Sequence, residues 1–245
     1  MATLTYHTNG VLLDRRDNGP DMAIFGNIQV PLITASQLQR YAAIVYAEAA
    51  YSALLHEISP RDPRGALWRE TVAIAIAMYN YVRNKSMAFY RAGRIYNIND
   101  LVNDAAYVKG INSPKFNEYF MPGGDETKRT FANLAVLKLF TRQVEDIRSI
   151  IFEIQQAAYW DGNDIFRRYR EHYRAKQGFE LGNPEHGRLY QNVTIIPGTQ
   201  VIDSCPAQDP RVAAYRQFTF LSTMTAGGSI FYRIHPQAVA QGVTW

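Results

Sequence analysis

Apolar residues recur at helical spacing from Ser36 onward. Leu38, Tyr41, Val45, Glu48, Ser52 and Leu55 are separated by steps of 3 and 4, which puts all six on one side of a helix. The pattern predicts a helix over 36–57 with Ser36 as its N-cap. ISPRDPRG (58–65) reads as a loop by its prolines, glycine and charges. ALWRETVAIAIAMYNYVRN predicts a second helix over 66–84, apolar on every side at its centre, as in a helix surrounded by others. A short helix over 98–109 and a loop at SPKFNEYFMPGGDE follow. A long helical pattern over 126–160 is then carried by Leu134, Leu137, Phe140, Val144, Ile147 and Ile151. Asp161-Gly162 ends it, and a basic helix comes next.

The two ends have a different pattern. TLTYHTNGVLLD alternates and turns at Asn9-Gly10, a dipeptide favoured in two-residue hairpin loops. After Gly178, the runs NVTIIPGTQVID, RQFTFLS and SIFYRIH are β-branched and aromatic, separated by proline and glycine. The expected fold class is mainly α, within α+β. A single domain over 1–245 would comprise an N-terminal β or irregular segment (1–35), a helical core (36–176) and a C-terminal β-containing segment (177–245).

Composition narrows the classes. With 245 residues, 47% of them hydrophobic and 20% charged, the chain can bury a sizeable core and is neither disordered nor collagen-like. The longest strongly apolar stretch, Val72 to Tyr79, has eight residues, against the ~20 that span a bilayer. No membrane span is expected. MATLTYHTNG lacks the basic and apolar segments of a Sec signal peptide, so synthesis in a cytoplasm is expected. Cys205 is the single cysteine, which excludes an internal disulfide and a cysteine zinc cage. The five histidines show no metal-ligand spacing and no nucleotide-binding loop is present. Neither metal nor cofactor is expected.

Net charge is +4, too small for a nucleic-acid-binding tail, and no nucleic-acid partner is expected. The densest basic cluster, RRYREHYRAK, carries Arg167, Arg168, Arg170, Arg174 and Lys176 against Glu171. It is either the solvated face of a helix or an attractor for an anionic polymer, bacterial cell wall included.

Two residues break the apolar pattern. Glu48 lies on the stripe that the first helix should bury. Burial favours a neutral carboxyl and raises its pKa, the state a general acid needs near neutral pH; a glutamate paired with an arginine, or one at the stripe's edge, is the other reading. Asn80 follows VAIAIAMY, and a buried amide needs hydrogen-bond partners. A polar ligand or an inter-helix bond would each supply them.

IVYAEAA (44–50), AIAIAMYNYV (73–82), SPKFNEYF and GGSIFYRIHP occur in this order, and together they resemble the cell-wall hydrolases related to the spore-cortex-lytic enzyme SleB. The resemblance covers roughly 36–120 and 210–236. Glu48 matches that family's catalytic glutamate in its YAEA segment and Asn80 the asparagine of its Asn-Arg pair. Tyr81 stands where the arginine would be. Phe116 matches a loop phenylalanine loosely, and Gly227, Gly228, Phe231 and Tyr232 resemble a glycine-led strand. The glutamate and the small-apolar helix stand further apart than in the family, and residues 126–176 have no counterpart in it.

The resemblance implies a lysozyme-like helical core. It also implies cleavage of the β-1,4 link between N-acetylmuramic acid and N-acetylglucosamine in peptidoglycan, as a muramidase or lytic transglycosylase. Glu48 would be the catalytic acid/base, with Asn80, Phe116 and Tyr232 binding substrate. Glu57, Asp62 and Glu70 are possible second carboxylates, the last at a place where helix polarity alone favours an acid; a one-glutamate mechanism giving 1,6-anhydro ends needs none.

Two other readings stay open: a cysteine peptidoglycan amidase using Cys205 and His235, and a non-enzymatic helical interaction protein. A wall hydrolase without an export signal suggests an antibacterial effector toxin, or a phage protein. It would reach a target periplasm by a non-Sec route, with secretion-machine components and a cognate immunity protein as partners.

Overall fold

Three helices form the centre of the computed structural model, which describes residues 1–90, 93, 95–188 and 201–244. The first, α1 (Ala35–Glu48), starts at Thr34. The Thr34 hydroxyl accepts from the Gln37 N–H while the Gln37 side chain accepts from the Thr34 N–H, so two orphan donors of the first turn are satisfied reciprocally. Ser36, the expected cap, lies inside the helix and donates its hydroxyl to Asp21. From Tyr41 to Ala47 every residue is buried. The helix ends at Glu48, where Ala49 turns extended (φ −68, ψ 150), and α2 (Ser52–Ile58) follows. The single helix expected over 36–57 is therefore two.

The second central helix, α3 (Pro63–Tyr90), is longer than the expected 66–84. Its middle, Val72 to Met78, is buried all round, as its unbroken apolarity demands. Next come α4 (Ile98–Leu101), which is only the first turn of the helix expected over 98–109, and α5 (Pro114–Glu118). The third central helix, α6 (Glu126–Thr141), stops where Arg142 adopts a left-handed conformation (φ 59). A shorter helix, α7 (Arg148–Ile154), stops at Gln155 (φ 51). The expected continuous helix over 126–160 is thus cut twice, at Arg142 by a left-handed residue of the kind that ends helices and at Gln155 by a residue of positive φ. Alanines at 42, 43, 73, 75, 77, 132 and 135 are buried; such small side chains let helix axes approach closely.

Two sheets flank the helices. The N-terminal sheet has β1 (Thr3–Tyr6), β2 (Leu12–Arg16), β3 (Met22–Phe25) and β4 (Ile28–Gln29), in the order β2-β1-β3-β4 with β1 and β3 parallel. Asn9-Gly10 lies in the β1–β2 connection, but Tyr6 pairs with Leu12, so the loop is longer than a two-residue turn. The other sheet contains β5 (Tyr159–Asp161), β6 (Phe179–Glu180), β7 (Phe220–Ala226) and β8 (Ser229–Ile234), in the order β5-β8-β7-β6. Strands β7 and β8 are buried almost throughout, because both faces of the sheet are covered. Phe231 and Met224 join the main core, while Tyr232, Phe220 and Ile230 join a second apolar cluster with Phe166 and Phe179.

The expected basic helix is broken into α8 (Asn163–Arg167), a 3-10 turn and α9 (Tyr173–Lys176). Residues 192–200 of the expected NVTIIPGTQVID strand lie outside the described residues. Among the described residues, helix accounts for 47% and strand for 15%, an α+β content dominated by helix.

Candidate active site

The position of Glu48 is set by two buried charges from distant parts of the chain. Glu70 on α3 is 0% exposed. One of its carboxylate oxygens accepts from the Ala50 N–H at 2.8 Å; the other accepts from the Gly228 N–H and the Ser229 hydroxyl, each at 2.9 Å. Lys128 on α6 donates to the Ala49 carbonyl at 2.7 Å. The Ala49 carbonyl and the Ala50 N–H therefore find partners outside α1, so the helix stops there and the carboxyl sits at its end. Burial pushes Glu70 up to about 7 and Lys128 down to about 8. Gly227 forms the β7–β8 turn at φ +53, and a Cβ there would collide with the Glu70 carboxyl.

Glu48 opens on a cleft of about 360 Å³. Burial raises its pKa; hydrogen bonds from the Trp160 indole and the Gly110 backbone, together with the Lys115 charge, oppose the rise, and the negative charge of Asp161 adds to it. The C-terminal end of a helix, carrying the negative pole of its dipole, also disfavours an ionised carboxylate. Gly110 makes the cradle: a Cβ there would intrude on Glu48 Oε1.

One wall of the cleft comes from α3 and the segment after α4. Tyr81 stacks on Tyr107 with centroids 3.5 Å apart. Lys85 donates to the Tyr81 hydroxyl at 2.8 Å and to Asp104 at 2.9 Å, and the Tyr96 hydroxyl donates to the same Asp104 oxygen. The cations on this wall are Lys85, one turn beyond Tyr81 on α3, and Lys109.

The opposite wall is β5 and the start of α9, with Tyr159, Trp160, Asp161, His172, Tyr173 and Arg174. Asp161 accepts a short hydrogen bond from the Tyr232 hydroxyl. The register explains the pairing: Asp161 is opposite Ile230 on β8, so Tyr232 is its diagonal neighbour on the same face. His172 Nε2 lies 3.6 Å from Asp161 and 3.9 Å from Asp164. Burial raises the Asp161 pKa, against the Tyr232 hydrogen bond and the charges of His172 and Arg174.

Asp161, Asp164 and His172 bring one ligand atom each to within 4.8 Å of one another, a set the sequence spacing does not suggest. Their chemistry fits a cation poorly. His172 Nδ1 accepts the Arg174 backbone N–H at 3.3 Å, so the neutral ring carries its proton on Nε2, the nitrogen that would have to bind the metal.

The sequence-derived candidates are dispersed. Glu48 is on the cleft. Tyr232 is fully buried behind it and reaches it only through Asp161. Asn80 does not line it: its amide donates to the Ala157 carbonyl at 2.9 Å, tying α3 to the chain entering β5. Phe116 is buried in the main core, with the Arg40 guanidinium 5.4 Å from its ring centroid. Of the suggested second carboxylates, Glu57 is exposed on α2, Asp62 accepts from the Gly65 N–H at the start of α3, and Glu70 is sealed in the core. The carboxylates that do share the cleft are Asp104, Asp161 and Asp164; of these Asp161 is the one whose charge acts on Glu48, and the sequence presents it as a helix stop.

Cys205 and His235 do not form a hydrogen-bonded pair. Cys205 accepts from Gln208, while His235 meets Glu180 through Nε2 at 2.7 Å and accepts the Gln237 N–H on Nδ1. No protein-family model, curated protein or solved structure matches the chain.

Proposed function

We propose that this protein cleaves the glycan strand of peptidoglycan, with Glu48 as general acid. One observation carries the reading: a carboxyl with a raised pKa ends α1 in a cleft that also holds a second carboxylate, Asp161, and the rings of Tyr107, Trp160 and Tyr173. Aromatic faces pack on pyranose rings while their polar edges bond to sugar substituents. In this reading Glu48 gives its proton to the glycosidic oxygen as the bond to the anomeric carbon breaks. Asp161, whose carboxylate form the Tyr232 hydroxyl and the Arg174 charge favour against its burial, faces the oxocarbenium-like centre. Water then adds its hydroxyl to the anomeric carbon and returns a proton to Glu48.

The competing route has the muramic 6-hydroxyl attack in place of water, giving a 1,6-anhydro end with no need for Asp161. Mass spectrometry of muropeptides from purified peptidoglycan separates the outcomes. Reducing ends are expected; anhydro ends would replace hydrolysis by transglycosylation, and shortened peptide stems or no products would refute glycan cleavage.

Two variants test the geometry. Asp161→Asn removes the negative charge but keeps an acceptor for Tyr232, and is expected to slow release of reducing ends by roughly 10²-fold. Gly110→Ala pushes on the Glu48 carboxyl without touching a positive-φ position. A displacement of that kind is expected to lower activity by about 10²-fold with little change in melting temperature, read by dye release from labelled sacculi and by thermal unfolding. Action on peptidoglycan further implies that the protein works as an antibacterial toxin in a target periplasm, countered by an immunity protein that blocks the cleft. Lysis on periplasmic but not cytoplasmic expression is the corresponding assay.

A further inference from the structure

Strand β7 carries a second polar centre, on a cavity of about 510 Å³ that shares no lining residue with the cleft of Glu48. One extra residue, Thr223, stands between the pairs Ser222–Tyr232 and Met224–Phe231, a bulge of the kind found beside functional sites. The segment after β6 folds over this point. Gly182 permits the approach, since a Cβ there would lie 2.5 Å from the Ser222 carbonyl oxygen, and its N–H donates to the Ser222 hydroxyl oxygen at 3.1 Å. His186 Nδ1 stands 2.9 Å from the same oxygen. Among the described residues Nδ1 is the one acceptor within reach of the Ser222 hydroxyl, so the serine donates and the imidazole accepts. His186 is buried, and burial lowers its pKa, which keeps the ring neutral and able to take a proton at neutral pH. Glu153, paired with Arg69, lines the same cavity, and its charge favours the imidazolium. Arg233 on β8 lines it too, and its Nε is shut off from solvent with no acceptor among the described residues.

We propose that Ser222 and His186 form a second active centre, an acyl-transfer site for carboxylic esters. It stands apart from the glycan reading and shares no residue with it. A hydroxyl hydrogen-bonded to a neutral imidazole, at the edge of a cavity, is the nucleophile–base arrangement that acyl transfer requires. Ser222 Oγ bonds to the acyl carbon as its proton passes to His186 Nδ1. The bond from that carbon to the leaving alcohol oxygen breaks, and the oxygen takes the proton from Nδ1. Water then adds to the acyl-serine and gives a proton to Nδ1; the carboxylic acid leaves as that proton returns to Ser222. Glu153 stabilises the imidazolium that exists between the transfers, and the Arg233 Nε–H is the donor available to the tetrahedral oxyanion. Esters suit the centre better than amides, because an alkoxide leaves with less help from an acid than an amine does.

A fluorophosphonate probe tests this on the unmodified protein, because it phosphonylates a serine that a neighbouring base activates. The wild type is expected to take up a single phosphonyl group, located at Ser222 by peptide mass spectrometry, and to hydrolyse p-nitrophenyl acetate. Ser222→Ala loses both. His186→Gln can still meet the Ser222 oxygen but cannot take its proton, and is expected to slow labelling by about 10²- to 10⁴-fold. Arg233→Gln, which removes the oxyanion donor, slows it by about 10²-fold. Thermal unfolding shows which variants are folded; if Ser222→Ala or His186→Gln is not, the labelled position in the wild type decides alone. A wild-type Ser222 left unmodified under conditions that fully label a control serine esterase would overturn the proposal. So would ester hydrolysis that survives Ser222→Ala, or a folded His186→Gln protein labelled at the wild-type rate.

Discussion

Glu48→Gln is expected to lower glycan cleavage by about 10³-fold, within the range assigned to a positioned general acid, and to leave the fold at least as stable as before. The amide has the shape of the carboxyl, and its oxygen can still accept from the Trp160 indole and the Gly110 N–H that face Glu48. It has no proton to give to a leaving oxygen. The stability expectation follows from linkage. The folded pKa of Glu48 is raised above the ordinary 4.5, so its favourable contribution is complete below that value and is lost as pH rises through the folded pKa. At neutral pH, above the unfolded pKa, the group therefore detracts from stability, and the amide removes that penalty. Activity that needs the protonated acid falls over the same rise in pH. Dye release from sacculi and a thermal melt on the same preparations check both halves; retained activity in a folded Glu48→Gln protein would eliminate this residue as the acid.

Glu70→Ala is expected to have the largest effect on stability, a loss of about 3–5 kcal/mol. The change removes the acceptor for the Ala50 and Gly228 N–H groups and for the Ser229 hydroxyl. It also deprives the buried Lys128 of the opposing charge that acts on it most strongly. The pH dependence has a definite sign. Glu70 moves from 4.5 to about 7 on folding, so the stability conferred by its proton is complete below about 4.5 and disappears between there and about 7. A shift of that size corresponds to roughly 3 kcal/mol. Urea unfolding at pH 4.5 and pH 8 should show this slope in the wild type and its absence in Glu70→Ala. A destabilisation under about 1 kcal/mol would mean that the carboxyl does not anchor the end of α1. Because Glu70 holds the residue two positions after Glu48, the surviving folded fraction should also lose activity.

The helical core was legible because its pattern is local. The apolar stripe from Leu38 to Val45 and the all-round apolarity of Val72–Met78 mark α1 and α3 without any knowledge of their neighbours. The breaks were not legible. The end of α1 depends on Glu70 and Lys128, which lie far along the chain, and nothing in IVYAEAA distinguishes a helix that stops at Glu48 from one that continues to Glu57. Arg142 and Gln155 stop helices through positive-φ conformations that neither side chain advertises.

The candidate site divides in the same way. Glu48 could be found because a carboxylate interrupts an apolar stripe. The matching interruption at Asn80 is real, but its amide is taken by the Ala157 carbonyl, the commoner fate of a buried side-chain amide. Asp161 was hidden because Asp-Gly after a long helical pattern reads as a stop, while the chain there is a three-residue strand whose partner lies on β8. Arg174 was hidden in a run of like charges. Only the turn between His172 and Tyr173, where the His172 ring caps α9, aims it inward while its neighbours face solvent.

The proton on Glu48 can be observed directly. With carbon-13-labelled glutamate and the Glu48→Gln spectrum to assign the signal, NMR titration of the Glu48 carboxyl carbon reads its midpoint in the intact protein. The expected midpoint lies above the ordinary glutamate range and falls in Asp161→Asn, because the neighbouring negative charge is gone. A Glu48 carboxyl that titrates near 4.3, the value of a free glutamate side chain, and that ignores Asp161 would contradict the account.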